Sequence, residues 1–179
     1  MNYENTHREL VEACKNHDRQ AQFELYGLYS KAMYNICIRM LNDVEEAQDV
    51  LQNSFIDVFT KLNYFQYKSS IGAWIRRVVV NNCINRLKKR RLELVPLETY
   101  HHPKIEEEET DTSYFDLSIE QVKQAVQQLP DGYRAVLTLY LFEGYDHIEI
   151  GEIMGISVST SKSQYNRGKK RLRELIMSE

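Results

Sequence analysis

Three aromatic side chains close together, Tyr64, Phe65 and Tyr67, stand directly before Lys68 and a stretch that carries Trp74, Arg76, Arg77, Asn81, Asn82, Asn85, Arg86, Lys88 and Lys89. Aromatic rings offer stacking planes to unpaired bases, at about 1–3 kcal/mol each. Asparagine amides bond base edges, and Lys and Arg neutralise phosphate. No acidic residue falls between Asp57 and Glu93, so these residues together could hold a single strand or a melted junction. The alternative is that Trp74, Phe65 and the tyrosines are core. The combination of aromatic loop, Asn ladder and acid-free basic end favours binding.

A second acid-free stretch lies between Glu152 and Glu174 and carries Lys162, Arg167, Lys169, Lys170, Arg171 and Arg173. Two such stretches, one in each half, suggest two contacts with a polyanion, although either alone could be a solvated helix face. The second follows a recognisable punctuation. Asp146 to Met154 reads as a short helix with Ile148, Ile150 and Ile153 turned inward. Gly155-Ile156-Ser157 then makes a tight turn in which Ser157 caps the next helix. Helix, short Gly-containing turn and basic helix are the parts of a helix-turn-helix; an αα-hairpin with a solvated basic face is the alternative. On the second helix Tyr165, Leu172 and Leu175 share a face with the small residues Ser161 and Gly168. Ser159, Ser163, Asn166, Arg167 and Lys170 point outward, with Lys162 and Arg173 on the flanks. That polar face suits a major groove.

A third surface lies on the helix predicted over 43–62. Val44, Ala47, Leu51, Phe55, Val58 and Leu62 converge on one stripe, as expected of a core face. The opposite face holds Glu45, Glu46, Asp49, Asn53 and Ile56, with Gln52 on its shoulder. Ile56 gains nothing from facing water among carboxylates and amides, which suggests a protein-docking surface, though a lone exposed Ile is common.

The elements that must position these residues are helical throughout. Apolar residues recur at three- and four-residue spacing, predicting helices near 4–16, 18–40, 43–62 and 70–91, then near 118–128, 131–143, 146–154 and 158–177. Low Gly (7) and Pro (3) counts disfavour an all-β fold with many tight turns. The fold class is therefore all-α: two small helical domains, 1–95 and 118–179, the second a helix-turn-helix. They are joined by an acidic linker over 96–117 that contains Pro96, Pro103 and Glu106 to Glu109.

The charge is segregated along the chain. Residues 1–95 carry 14 basic and 11 acidic groups, 96–118 carry 1 and 7, and 119–179 carry 8 of each, within a formal charge of −3. Hydrophobic residues at 42% and charged residues at 27% are ordinary globular values. No apolar run is long enough to span a bilayer, and the polar start of the chain has no signal-peptide core. Cys14, Cys37 and Cys83 form no C-x-x-C pair and read as buried thiols in a reducing cytosol. The expected location is cytoplasmic. His7, His17, His101, His102 and His147 lack metal-ligand spacing, and neither a Gly-rich phosphate loop nor a Ser or Cys nucleophile motif is present. No catalytic residue, metal or cofactor is expected.

Two nucleic-acid signals flanking an acidic tether resemble bacterial RNA polymerase sigma factors of the small, two-domain extracytoplasmic-function type, over nearly the whole chain. Asp43-Val-Glu-Glu-Ala-Gln-Asp49-Val-Leu-Gln52-Asn53-Ser-Phe55 resembles the helix that docks on the polymerase clamp. The resemblance implies polymerase contacts at Asp49 and Gln52, with Asn53, Ile56 and Glu46 beside them. Tyr64 to Lys68, Ser70-Ile-Gly-Ala-Trp74-Ile-Arg76-Arg77-Val and Asn81-Asn82-Cys-Ile-Asn85-Arg86-Leu resemble the loop and helix that open and read the minus-ten promoter element. Leu129-Pro130-Asp-Gly-Tyr-Arg134-Ala-Val, Glu143-Gly144-Tyr145, Glu149-Ile150 and Gly155-Ile156-Ser157-x-Ser-Thr160-Ser-Lys162-Ser163 resemble the domain that reads the minus-thirty-five element. This adds Thr160 to the recognition residues named above. The chain departs from the family at Asn53, where Glu is frequent, at Ser161, where an apolar residue is usual, and at Gly168, where Ala is usual.

What the resemblance implies is a transcription initiation factor, not an enzyme. It would bind core RNA polymerase and promoter DNA, both as duplex and as melted single strand, without inserting in a membrane. An anti-sigma partner and a specialised regulon are implied too. The linker would run toward the active-site channel, its carboxylates mimicking phosphates. A −6 linker between basic faces would compete with DNA, so the free protein is expected to bind DNA weakly. A stand-alone helix-turn-helix regulator would account for 146–177 but leaves the aromatic loop, Asn ladder and acidic helix face unused. The second rival is a helical adaptor or an enzyme; Glu45, Glu46 and Asp49 could pose as paired carboxylates, but they fall in a helix whose exposed acids are the default.

Overall fold

The computed structural model describes residues 7–94 and 119–177. Every regular element among them is helical, and the chain separates into two compact units, residues 1–88 and 89–179. The expected linker, including Glu106 to Glu109, lies outside the described residues, as does the start of the first expected helix.

In the first unit α1 (Arg8–Lys15), α2 (Arg19–Leu41) and α3 (Val44–Lys61) lead through a single 3-10 turn (Leu62–Tyr64) and a short loop into α4 (Ile71–Leu94), of which residues 71–88 belong to this unit. Side-chain caps set the starts. Asp18 accepts from the backbone N–H groups of Gln20 (2.8 Å) and Ala21 (3.2 Å) to open α2. Asp43 accepts from Glu46 N–H (2.9 Å) to open α3, and Ser70 Oγ accepts from Ala73 N–H (3.2 Å) to open α4. Each satisfies a donor that the first turn would leave unpaired. Between α2 and α3 Asn42 takes the left-handed conformation (φ 54°), which its short polar side chain tolerates.

The core of this unit is built from Leu25, Met40 and Leu41 of α2, Val58 of α3, Leu62, and Ile75 and Val79 of α4, all under 2% exposed. The stripe predicted on α3 is buried from Ala47 to Leu62 but not at its head, where Val44 is 56% exposed. Val44 is the first helical residue, and a helical side chain leans toward the N-terminus, which carries this one past the packed part of the unit. Ser54, absent from the predicted stripe, is fully buried, its hydroxyl satisfied by Val50 O at 2.6 Å.

The second unit comprises α5 (Ile119–Gln127), α6 (Asp131–Leu137), α7 (His147–Met154) and α8 (Val158–Met177). The uniform helix expected over 131–143 widens after Leu137 into a π-helical turn, Thr138–Phe142. The wider turn shifts the register, and Leu141 and Phe142 are exposed at 51% and 52%. Arg134 is buried on α6 and donates to Leu129 O (2.6 Å) and Gln127 O (3.4 Å) while paired with Asp131. It thereby satisfies the last carbonyl of α5 and one in the turn that follows, which the helix itself leaves open. Burial pulls its pKa down while Asp131 opposes the shift.

The helix-turn-helix is as read, with one correction. Asp146 opens α7 through a capping box with Glu149, Gly155 takes φ 70° to end it, and Ser157 Oγ accepts from Thr160 N–H (3.0 Å) to open α8. Ile150 is fully buried and Ile153 half-buried, whereas Ile148 is 60% exposed. Residues two apart on a helix lie about 200° apart, so Ile148 and Ile150 do not share a face. The small residues act as expected. A Cβ on Gly151 would lie 2.9 Å from Ile156 O, and one on Gly168 3.0 Å from Leu137 Cδ1. α7 thus meets the turn backbone at Gly151, and α8 meets α6 at Gly168. Ser161 is fully buried, while Tyr165, Leu172 and Leu175 are only half-buried.

Candidate nucleic-acid interface

Three surfaces carry the residues picked out by sequence. On α3, Asp49, Gln52, Asn53 and Ile56 are exposed together, Ile56 at 64%. Glu46, placed in the same set, differs: its carboxylate accepts from Arg86 Nη2 of α4 at 2.8 Å. A residue of the expected docking surface and a residue of the expected DNA-reading helix are therefore partners of each other.

The aromatic loop is divided in its work. Tyr64 is 79% exposed and Phe65 only 5%. Phe65 lies beneath, its ring centroid 4.8 Å from that of Tyr67 and 5.5 Å from that of half-buried Trp74. Phe65 is thus core, and it supports a surface rather than forming one. Tyr67 is turned toward α1, where its hydroxyl donates to Glu12 Oε1. Lys15 Nζ lies 4.6 Å and Arg8 Cζ 5.0 Å from its ring centroid. Lys68 is exposed.

The buried face of α4 is Ile71, Ile75, Val79, Val80, Cys83, Ile84 and Leu87. This leaves a line through half-buried Trp74 and Val78 to exposed Asn81, Asn85 and Lys88, the ladder anticipated from the sequence. Arg77 and Lys89 are also exposed, and Arg76 and Arg86 half-buried. Asn82, alongside the ladder, turns to a partner: its amide donates to Ser54 Oγ (3.1 Å) and Asp57 Oδ2 (3.0 Å), tying α4 to α3. The Asn82 bond is the main reason Asp57 sits below the usual carboxylate range, with Lys61 at 2.9 Å adding to it.

On α8, Ser159, Lys162, Asn166, Lys170 and Arg173 are exposed, and Thr160, Ser163 and Arg167 half-buried. The hydroxyls at the head are knit together, Ser157 Oγ lying 2.8 Å from both Ser159 Oγ and Thr160 Oγ1. Ser163 Oγ donates back to Thr160 O (3.2 Å). Behind this face Ser161 Oγ lies 2.9 Å from His147 Nδ1. The imidazole stacks on Tyr140 at 4.7 Å, with Tyr165 edge-on at 5.6 Å. Burial, with Lys162 adding to it, holds the His147 pKa below its ordinary value. The α1 contacts of Tyr67 and the His147–Ser161 pair had no sequence signal, since each joins residues many positions apart.

All three cysteines are buried and unbridged, Cys37 Sγ lying 3.8 Å from Cys83 Sγ. Among the described residues no helix is long and apolar enough to cross a membrane, and no group of His, Cys, Asp or Glu is placed to hold a metal ion.

Comparison with known proteins sets these surfaces in a family. Residues 25–93 match Sigma-70 region 2, and residues 119–172 match Sigma-70, region 4. The RNA polymerase sigma-H factor of Pseudomonas aeruginosa is 30% identical over 174 residues, covering 91% of this chain and 90% of its own. The ECF RNA polymerase sigma factor SigW of Bacillus subtilis is 28% identical over 182 residues, covering 93% of this chain and 95% of its own. The sigma factor RpoE of Bartonella quintana, solved in complex with the anti-sigma factor NepR, shares the fold. Its TM-score is 0.58 at 23% identity, over 86% of this chain and 95% of that one. The chain belongs to the extracytoplasmic-function group of the sigma-70 family. Its function is promoter-specific transcription initiation with RNA polymerase.

Proposed function

We propose that the chain docks on core RNA polymerase through Asp49, Gln52, Asn53 and Ile56 of α3, reads and opens the minus-ten element with Tyr64 and the outer line of α4, and reads the minus-thirty-five element with α8. Domains 1–95 and 118–179 divide this work, with 96–117 as the tether. The observation that carries the reading is the exposed Tyr64 ring, next in the chain to buried Phe65, which packs on half-buried Trp74, ahead of a helix whose outer line continues through Asn81, Asn85 and Lys88. An exposed ring is what captures an unstacked base, and extruding a base costs a few kcal/mol that stacking and amide contacts offset. Arg77, Lys68 and Lys88 would neutralise phosphate. Trp74, packed on Phe65, would stiffen the loop that carries the ring. Arg76, Asn82 and Arg86 shape the helix surface, Asn82 and Arg86 from α3 partners.

On α8, Lys162, Asn166, Arg167, Lys170 and Arg173 would enter the major groove, with Ser159, Thr160 and Ser163 holding the head of the helix against the backbone. The protein would act in the cytoplasm. An anti-sigma factor, such as the one bound to the Bartonella relative, is the partner that would hold it inactive. The test is permanganate reactivity of unpaired thymines in a promoter opened by polymerase carrying this chain. Tyr64→Ala should abolish most of the minus-ten signal while binding to core persists. Undiminished reactivity would contradict the reading.

A further inference from the structure

Tyr67 has a backbone that needs holding. Its φ of 58° is in the left-handed region, sparsely populated by bulky L-residues and costing of the order of 1–3 kcal/mol unless the surroundings enforce it. Three side chains of α1 surround its ring. Glu12 Oε1 accepts the phenolic proton, and the same oxygen takes Lys15 Nζ at 3.0 Å. Lys15 and Arg8 lie over the ring at 4.6 and 5.0 Å, within cation–π range. The ring centroid also lies 4.8 Å from that of Phe65. The Tyr67 ring lies against α1, whereas Tyr64, three residues earlier, is exposed to solvent. α1 itself precedes the residues that match region 2.

The geometry points to Tyr67 as a positioning residue, latched to Glu12, Lys15 and Arg8 of α1 so that the loop presents Tyr64 outward. This rests on the reading of Tyr64 as the base-capturing ring. A loop free to relax at Tyr67 would present Tyr64 in many orientations, and capture of a base would lose the benefit of a pre-organised ring. The hydroxyl bond fixes the direction of the latch, while the two cations only cover its face.

The experiment follows the rate of 2-aminopurine fluorescence rise in the minus-ten non-template strand on mixing with core polymerase and the full chain. Core affinity is measured in parallel by anisotropy. Tyr67→Phe keeps the ring and its cationic contacts, and Glu12→Ala removes the acceptor. Each should slow opening about tenfold with core affinity unchanged, and the double variant should be no slower than either single one. Glu12→Gln, whose amide oxygen can still accept, should restore most of the rate. Opening at the wild-type rate in Tyr67→Phe and Glu12→Ala, with Tyr64→Ala slow, would overturn the latch while sparing the capture reading. An unimpaired Tyr64→Ala would overturn both.

Discussion

α4 and α8 are alike as charge runs, each a long helix with a basic stretch free of acids, yet the fold treats their polar side chains differently. On α4 several are engaged within the unit: Asn82 is bonded to Ser54 and Asp57, and Arg86 is paired with Glu46. In the loop before it, Tyr67 is bonded to Glu12. On α8 bonds at the head and rear run through Ser157 and the His147–Ser161 pair, and Arg171 pairs with Glu174 on the helix itself, while Lys162, Asn166 and Arg173 stand exposed. The contrast fits two tasks. A duplex groove is itself rigid, so a reading helix needs correct seating and accessible side chains. A single strand is flexible, and the protein must supply the shape that captures it.

The seating of α8 is the most sensitive point in this contrast. Gly151→Ala would set a Cβ 2.9 Å from the Ile156 carbonyl, a backbone atom with no easy escape. The expected loss is about 2–3 kcal/mol in the second unit. In denaturant unfolding, the transition of the second unit should move while that of the first stays in place. A smaller effect separates the Asn residues of α4. Asn82→Ala should cost about 1–2 kcal/mol, because it leaves Ser54 and Asp57 short of a donor. Asn81→Ala and Asn85→Ala should leave stability within error yet slow promoter opening. Equal stability losses for all three would erase the distinction between scaffold and ladder.

The third effect depends on pH. Because the folded state holds the His147 pKa below the ordinary 6.5, neutral imidazole is favoured by folding. Its contribution is fully present above about pH 6.5 and is lost as pH falls through that value toward the folded pKa. The groups facing it are Lys162, Asp146, Tyr140 and Tyr165. The second unit should therefore melt at lower temperature at pH 5.5 than at pH 7.5, and His147→Gln should flatten that difference. The smallest effect is at the exposed end of the scale. Lys162→Ala should leave melting unchanged and lower the salt dependence of promoter binding by the polymerase complex by about one unit of slope.

Much of this organisation is written locally. The helices were legible because apolar spacing and caps such as Asp18, Asp43 and Asp146 act within a few residues. The turn glycines were legible because their conformations exclude most other residues. The exposure of Ile56, and of Asn81 and Asn85, followed from helical phase alone. Phase also exposed the error at Ile148, which a correct wheel places away from Ile150. The π-helical turn at 138–142 was not legible, since its register depends on packing. The partners of Tyr67, Asn82, Arg86 and Ser161 belong to the same class: each lies on a different element, and a side chain's chemistry does not reveal whether it will face inward to a partner or outward to a ligand.

The central claim is that DNA recognition by this chain depends on polymerase. The direct measurement is fluorescence anisotropy of the labelled full chain, titrated first with core RNA polymerase and then with promoter duplex, with and without polymerase. The account predicts tight binding to core, sequence-specific DNA binding only in the complex, and a first step weakened at least about tenfold by Asp49→Arg, or about 1.4 kcal/mol. Tight sequence-specific binding of duplex by the chain alone, with no affinity for core, would contradict it and leave a stand-alone helix-turn-helix regulator.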